Sequence, residues 1–205
     1  MEITELKALN SGKYRAVLSD GSAVMVTTAM IADLSLYSGR ELTDEEFNEL
    51  FAAAQLSACK ERSLRIIGMR PMSCKELYDR LVEKGEMPEN AAACVAWLLD
   101  LRYLDDGLYA GMLVRHNAAK GYGVGRIRNE LYRRGIPKEL WDDALEEMPE
   151  TEDKVYDLLC RKLRNEEPDR AEMKKATDSL FRRGFSWTEI KAAVNRFKSD
   201  NENCD

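Results

Sequence analysis

The chain has 205 residues but one histidine, His116, and five cysteines, Cys59, Cys74, Cys94, Cys160 and Cys204, none in a C-x-x-C pair. That supply cannot furnish the usual four-ligand zinc pattern, and an odd cysteine count reads as reduced thiols. Cys94 and Cys160 fall on apolar helix faces, whereas Cys204 belongs to a polar tail. Around His116 neither Ser nor Cys lies within a helical turn or two, so no nucleophile–base pair forms there. Asp142, Asp143, Glu146 and Glu147 sit along one exposed helix face and make no metal or acid/base cluster. No run of 18 apolar residues exists, which excludes a spanning helix, and the opening MEITELKALNSGK lacks the basic-then-apolar order of a signal peptide. A cytoplasmic protein without metal, cofactor or catalysis is the expectation. Aromatic residues, at 8%, are scarce beside 33% charged ones. This balance fits an elongated helical protein better than an enzyme, and it offers no aromatic platform for stacking bases.

What is present is organised around Tyr103–Gly135. Asp105 and Asp106 are placed to accept from the free N–H groups of a helix running to about Ala119. Its apolar face is expected to carry Leu108 and Met112, with Tyr109 and Leu113 beside them. Gly121, Gly123 and Gly125 form a joint; a second helix then buries Ile127 and Leu131 and stops at Gly135, and Pro137 opens a third. The same spacing recurs. Leu77, Leu81 and Gly85 match Ile127, Leu131 and Gly135, and both sets match Ala176, Leu180 and Gly184, with the glycines 50 and 49 residues apart.

Before the repeats, alternating runs separated by Asn10-Ser11-Gly12 and Asp20-Gly21 predict a three-stranded antiparallel piece packed on a helix. Thr43-Asp44-Glu45-Glu46 and Ser73-Cys74-Lys75-Glu76 are capping boxes, as is the set Ser186, Trp187 and Glu189. Pro88 opens a helix with Val95, Leu98 and Leu99 inward, and the Trp187 ring is expected to pack within its own repeat. The expected fold is mainly α: three tandem three-helix repeats in an elongated, curved array, with a small N-terminal antiparallel β piece. Its expected parts are 1–57, helical repeats at 58–104, 105–150 and 151–198, and a polar tail, 199–205.

Charge is the most informative feature. The chain carries −6 in all, yet from Arg115 to Arg134 six cations, Arg115, Lys120, Arg126, Arg128, Arg133 and Arg134, face the single carboxylate Glu130. Arg182 and Arg183 repeat the placement of Arg133 and Arg134, and a smaller basic group comprises Arg161, Lys162 and Arg164. Such a patch on an acidic protein fits an anionic partner, and it also fits a solvated helix face. Gly121-Tyr122-Gly123-Val124-Gly125-Arg126 invites a phosphate-loop reading, but it lacks the G-K-[ST] ending and follows a helix rather than a strand.

Taken together, Tyr103-Leu104-Asp105-Asp106 with Tyr109-Ala110, Lys120-Gly121-Tyr122-Gly123 with Arg126-Ile127 and Leu131, Arg134-Gly135-Ile136, and the block Arg70-Pro71, Glu76-Leu77, Leu81 and Gly85 resemble the RecX family of bacterial regulators of the RecA recombinase. The resemblance covers about residues 58–198. It implies three tandem three-helix repeats, and a protein of homologous recombination, DNA repair and the SOS response. Such a protein binds the RecA filament on single-stranded DNA and inhibits its extension, ATP hydrolysis and strand exchange. Arg126, Arg133 and Arg134 are the first candidates for contact with RecA or, weakly, with single- or double-stranded DNA, followed by Arg115, Lys120, Arg128, Arg182 and Arg183. Gly111 departs from the pattern by placing a helix-weakening residue inside a helix. The competing reading is a helical-repeat DNA-binding protein that acts without a recombinase; a third is an adaptor whose sheet pairs with another partner.

Overall fold

Two punctuation signals, Gly turns between short strands and capping boxes before helices, set several of the element boundaries. The computed structural model describes residues 1–9, 12–163 and 168–202. By contacts the chain divides into two units, one of Met1–Arg70 with Leu77–Leu101, the other of Pro71–Glu76 with Arg102–Asp205.

In the first unit, β1 (Ile3–Ala8), β2 (Lys13–Leu18) and β3 (Ala23–Thr27) form an antiparallel sheet in that order. Ala16, Leu18, Val24 and Val26 bury one face against Leu50 and Phe47 of a long helix. Strand β1 shows poor alternation because its pairing slips between Ile3, opposite Leu18, and Glu5, opposite Val17. A bulge of this kind turns the following side chains over. Gly21 supplies the positive φ, 83°, of the second turn; Asn10 and Ser11 of the first lie outside the described residues. After α1 (Thr28–Asp33) comes α2 (Asp44–Ile67), whose N-terminus has both bonds of the Thr43–Glu46 capping box. This helix runs unbroken across position 57. Helix α3 (Cys74–Glu83) begins at the Ser73–Glu76 box, which belongs to the second unit, and contributes Leu77 onward to the first; α4 (Pro88–Asp100) has Pro88 in its first turn. Along α4 the buried residues are Ala91, Cys94 and Leu98, while Leu99, expected inward, is exposed because it lies 100° further round.

The second unit holds α5 (Asp106–Ala119), α6 (Val124–Arg133), a 3₁₀ turn Lys138–Leu140 leading into α7 (Trp141–Glu146), then α8 (Glu152–Cys160), α9 (Arg170–Arg182) and α10 (Trp187–Glu202). One core joins α5, α6 and α7 through Ala110, Val114, Ile127, Leu131 and Ala144. A second joins α8, α9 and α10 through Val155, Leu159, Leu180, Phe185 and Ile190. On α5 the buried face is Tyr109, Ala110, Leu113, Val114 and Ala118, and the expected Leu108 and Met112 are exposed. Gly111 belongs to that buried face, and a Cβ there would stand 3.2 Å from the ends of the paired Arg115 and Glu147 side chains. Only Asp105 caps α5, accepting from Leu108 N–H at 2.9 Å; Asp106 instead accepts from Cys74 N–H at 2.8 Å, at the start of α3. That carboxylate and burial push the Cys74 thiol up to about 12, burial contributing most. Helix α8 stops at Cys160, and α10 continues past 198 to Glu202. Trp187, expected to pack, is 63% exposed.

The repeat is visible in how α3, α6 and α9 end. Gly85, Gly135 and Gly184 have φ of 86°, 67° and 89°. The next N–H, of Glu86, Ile136 or Phe185, reaches back five residues to the carbonyl of Leu81, Leu131 or Leu180. This is the Schellman stop, which needs a left-handed residue. Gly85 has open space where a Cβ would go, but at Gly184 a Cβ would overlap the backbone of Arg126. We therefore expect Gly85→Ala to cost about 1–2 kcal/mol from left-handed strain alone. Gly184→Ala adds a further ~1–3 kcal/mol of overpacking; urea unfolding of the two variants checks the difference.

Candidate functional site

On the α6 side, the joint that separates α5 from α6 is held by backbone groups. Helix α6 has Gly123 at its N-cap with no side-chain cap. Its first free N–H groups are taken by the end of α9: Gly123 N–H donates to Arg183 C=O at 2.9 Å, and Gly125 N–H to Gly184 C=O at 2.9 Å. The positive end of one helix thus meets the negative end of another. A Cβ on Gly123 would lie 2.6 Å from Phe185 N, so the approach requires glycine. These N–H groups, which a phosphate loop would aim at an anion, are already bonded within the fold.

The same joint opens a groove of about 890 Å³ beside α6, and four of the eight predicted cations line it: Arg126, Arg128, Arg133 and Arg182. Arg126 lies over the Tyr122 ring, 4.1 Å from its centroid. Among the described residues neither Arg126 nor Arg182 has a carboxylate partner. Arg128 reaches Asp142 at 3.3 Å, an exposed pair of small energetic consequence. Arg133 grips Glu130 at 2.6 Å while its side chain stays 71% exposed. The groove's own carboxylates are engaged. Glu189 accepts from Ser186 N–H and the Thr151 hydroxyl, each at 2.7 Å. Burial pushes the Glu130 carboxyl up, but hydrogen bonds from Arg134 and Arg133 outweigh it and hold Glu130 below its ordinary range.

The other four predicted residues lie elsewhere. Arg134, 28% exposed, bonds Glu130 and Glu76 at 2.8 Å each, tying the start of α3 to the end of α6. Its hydrogen bond to Glu130, with a further one to Glu76, raises the guanidinium's affinity for its proton against the opposing effect of burial. Tyr109 Oη donates to the same Glu76, and Ser73 Oγ to the Arg134 carbonyl. Arg183 donates to the carbonyls of Gly121, at 3.3 Å, and Lys120, at 3.5 Å, at the end of α5, where Lys154 also meets the Ala118 carbonyl. Cations there favour the helix's negative end. The Lys120 side chain is exposed away from the groove, and Arg115 pairs with Glu147. Arg164, of the smaller basic group, lies outside the described residues, as does Cys204.

Sequence reasoning missed Phe181. Its ring is 63% exposed within the groove, so the cations are accompanied by an aromatic surface after all. The signal was available: Tyr132-Arg133-Arg134-Gly135 and Phe181-Arg182-Arg183-Gly184 share the order aromatic, Arg, Arg, Gly. In both, the aromatic and the first arginine point outward. The second arginine comes back, three residues after the buried leucine, to hold neighbouring structure. The groove's lining contains no histidine or cysteine. Among the described residues no group of three metal-binding side chains occurs, and no helix is long and apolar enough to cross a membrane.

Comparison with known proteins places family models along most of the helical part. RecX first, second and third three-helix domains match residues 59–98, 105–145 and 150–194. The regulatory protein RecX of Xanthomonas axonopodis pv. citri is 36% identical over 136 residues, 65% of this chain and 84% of the relative. That of Streptococcus gordonii is 27% identical over 208 residues, covering 99% of this chain and 80% of the relative. A crystal structure of regulatory protein RecX superimposes with a TM-score of 0.79 at 22% identity, over 95% of this chain and 98% of the other. RecX from Lactobacillus salivarius gives 0.66, also at 22% identity, over 71% and 98%.

The polar node around Arg134 predicts a pH signature. Because the native Glu130 carboxyl sits below its ordinary value of 4.5, its contribution is complete above that value and drains away as pH falls through the lower native one. Glu130→Gln should cost about 1–3 kcal/mol at neutral pH. The loss relative to wild type should shrink toward zero in acid, followed by thermal melts from pH 7 downward.

Proposed function

This chain belongs to the RecX family, and on that premise we propose that it regulates a RecA-type recombinase. In this reading it binds the recombinase filament on single-stranded DNA in the cytoplasm and hinders filament extension, ATP hydrolysis and strand exchange, without catalysing a reaction itself. The observation that carries the reading is the groove, where among the described residues Arg126 and Arg182 have no carboxylate partner, on a chain of net charge −6. Cations left unpaired in a concave surface favour an anionic partner and speed its capture. The filament offers both acidic protein surface and phosphate.

A second reading, DNA binding without a recombinase, draws on Phe181. An exposed ring among arginines is what single-stranded nucleic acid uses for stacking. It predicts affinity for bare DNA whose logarithm falls by about 0.7 per neutralised single-strand phosphate for each tenfold rise in salt.

The deciding measurement is the single-stranded-DNA-dependent ATPase of the cognate recombinase, titrated with this protein well below one per filament subunit. We expect a steep fall for the wild type. Arg126→Glu with Arg182→Glu should require at least ~10-fold more protein, a loss of roughly 1.4 kcal/mol in binding, with the helical circular-dichroism signal unchanged. Inhibition retained by that variant would remove the groove from the reading, and tight binding to bare DNA at the same salt would favour the second.

A further inference from the structure

The third three-helix unit carries another concavity, between α9 and α10, of about 540 Å³. Its floor is apolar: Met173 of α9 faces Ile190 and Val194 of α10, and the exposed Trp187 stands at one end. Its sides are cationic on both helices. Arg170 and Lys174 follow one another by four residues along α9, and Lys191 and Lys198 by seven along α10. At those spacings each pair lies on a single helix face, so an apolar trough runs between two basic rails.

Among the described residues the rails share with Arg126 and Arg182 the lack of a carboxylate partner, which separates them from the paired arginines. Arg115, Arg128, Arg133, Arg134 and Arg196 all have carboxylate partners. Among the described residues none of Arg170, Lys174, Lys191 and Lys198 does. The one carboxylate in the lining, Asp169, is occupied as the N-cap of α9, accepting from Glu172 N–H at 2.7 Å. The only buried polar side chain of the trough, Thr177, spends its hydroxyl on the Met173 and Lys174 carbonyls. Among the described residues the trough therefore presents apolar area flanked by four charges without carboxylate partners.

We propose that this trough binds an acidic segment of a partner protein, one with large apolar side chains on one face and carboxylates flanking them. The apolar face enters between Met173 and Val194 against Trp187, above the buried Ile190, and the carboxylates meet the cations on either side. From the residues that line it, the trough is roughly 10–17 Å long, the length of two to three helical turns. Charge complementarity selects the occupant: a basic segment is repelled by both rails, and a nucleic acid strand, which satisfies the rails and can stack on Trp187, leaves the aliphatic floor of Met173 and Val194 without a matching group. The assignment is independent of the arginine groove beside α6, since the two share no residue.

The test uses the full-length protein and a fluorescein-labelled peptide of about twelve residues, leucine at positions spaced four and three apart and glutamate elsewhere. Companion probes replace leucine by serine, or glutamate by lysine; an oligothymidylate of similar length reports nucleic acid. Fluorescence polarisation should show saturable binding of the acidic, leucine-bearing peptide alone. Lys174→Glu with Lys191→Glu should weaken it by at least ~10-fold, Trp187→Ala should weaken it too, and Arg126→Glu should leave it unchanged, with melting temperatures held throughout. The proposal is overturned by no binding up to ~1 mM peptide, by binding that survives the charge reversal, or by preference for the oligothymidylate that the same substitutions abolish.

Discussion

The second unit depends on one contact between helix ends. The start of α6 has donors without acceptors, the end of α9 has acceptors without donors, and the two satisfy each other through Gly123, Gly125, Arg183 and Gly184. Buried backbone groups left unbonded are costly, and oppositely charged helix ends attract, so the contact is favourable twice over. It is also sterically demanding. Side chains at Gly123 or Gly184 would stand inside the opposing backbone, which leaves glycine as the residue both helices can use. Once the ends are joined, Arg126 in the first turn of α6 and Arg182 in the last turn of α9 must line the same concavity. The groove is a by-product of capping.

Each arginine doublet divides its labour by helical phase. Counting from the buried Leu131 or Leu180, the next two residues fall on the outward side and the third returns toward the core. Arg133 and Arg182 are therefore displayed, whereas Arg134 and Arg183 are drawn into hydrogen bonds with Glu76, Glu130 and the carbonyls ending α5. A cationic run in the sequence thus overstates the charge available to a partner. Glu147, Asp142, Glu130 and Glu76, three of them distant in sequence from the arginines they meet, absorb much of it.

Much of the fold was legible because its signals are local. Capping boxes at Thr43, Ser73 and Ser186, the stops at Gly85, Gly135 and Gly184, and the period near fifty residues all operate within a turn or a repeat. What escaped depends on distant partners or on phase. The face of α5 was misjudged because Leu108 and Met112 look as apolar as Leu113 and Val114, and its many small residues give several stripes of similar strength. Asp106 reads in sequence as a cap of its own helix but bonds the start of α3, and the register slip in β1 hides that the buried Ile3 and the half-buried Leu6 face the same core. Of the candidate site, the cations were nameable, but which four converge follows from the glycine contact between units of the repeat. Phe181 needed the second and third repeats to be aligned on their arginines.

Helix α2 bears on how the protein can be divided. Its first half, with Phe47 and Leu50, lies under the β-sheet, and its second half buries Cys59, Ser63 and Ile66, within and beside the stretch matched as the first three-helix domain. A fragment beginning at residue 58 keeps ten of the 24 helical residues and loses the capping box at Thr43. A segment that short nucleates poorly in isolation. The sheet and the first repeat therefore share one helix, whose capped start lies on the sheet's side, and a cleavage at residue 58 divides that helix between the two parts.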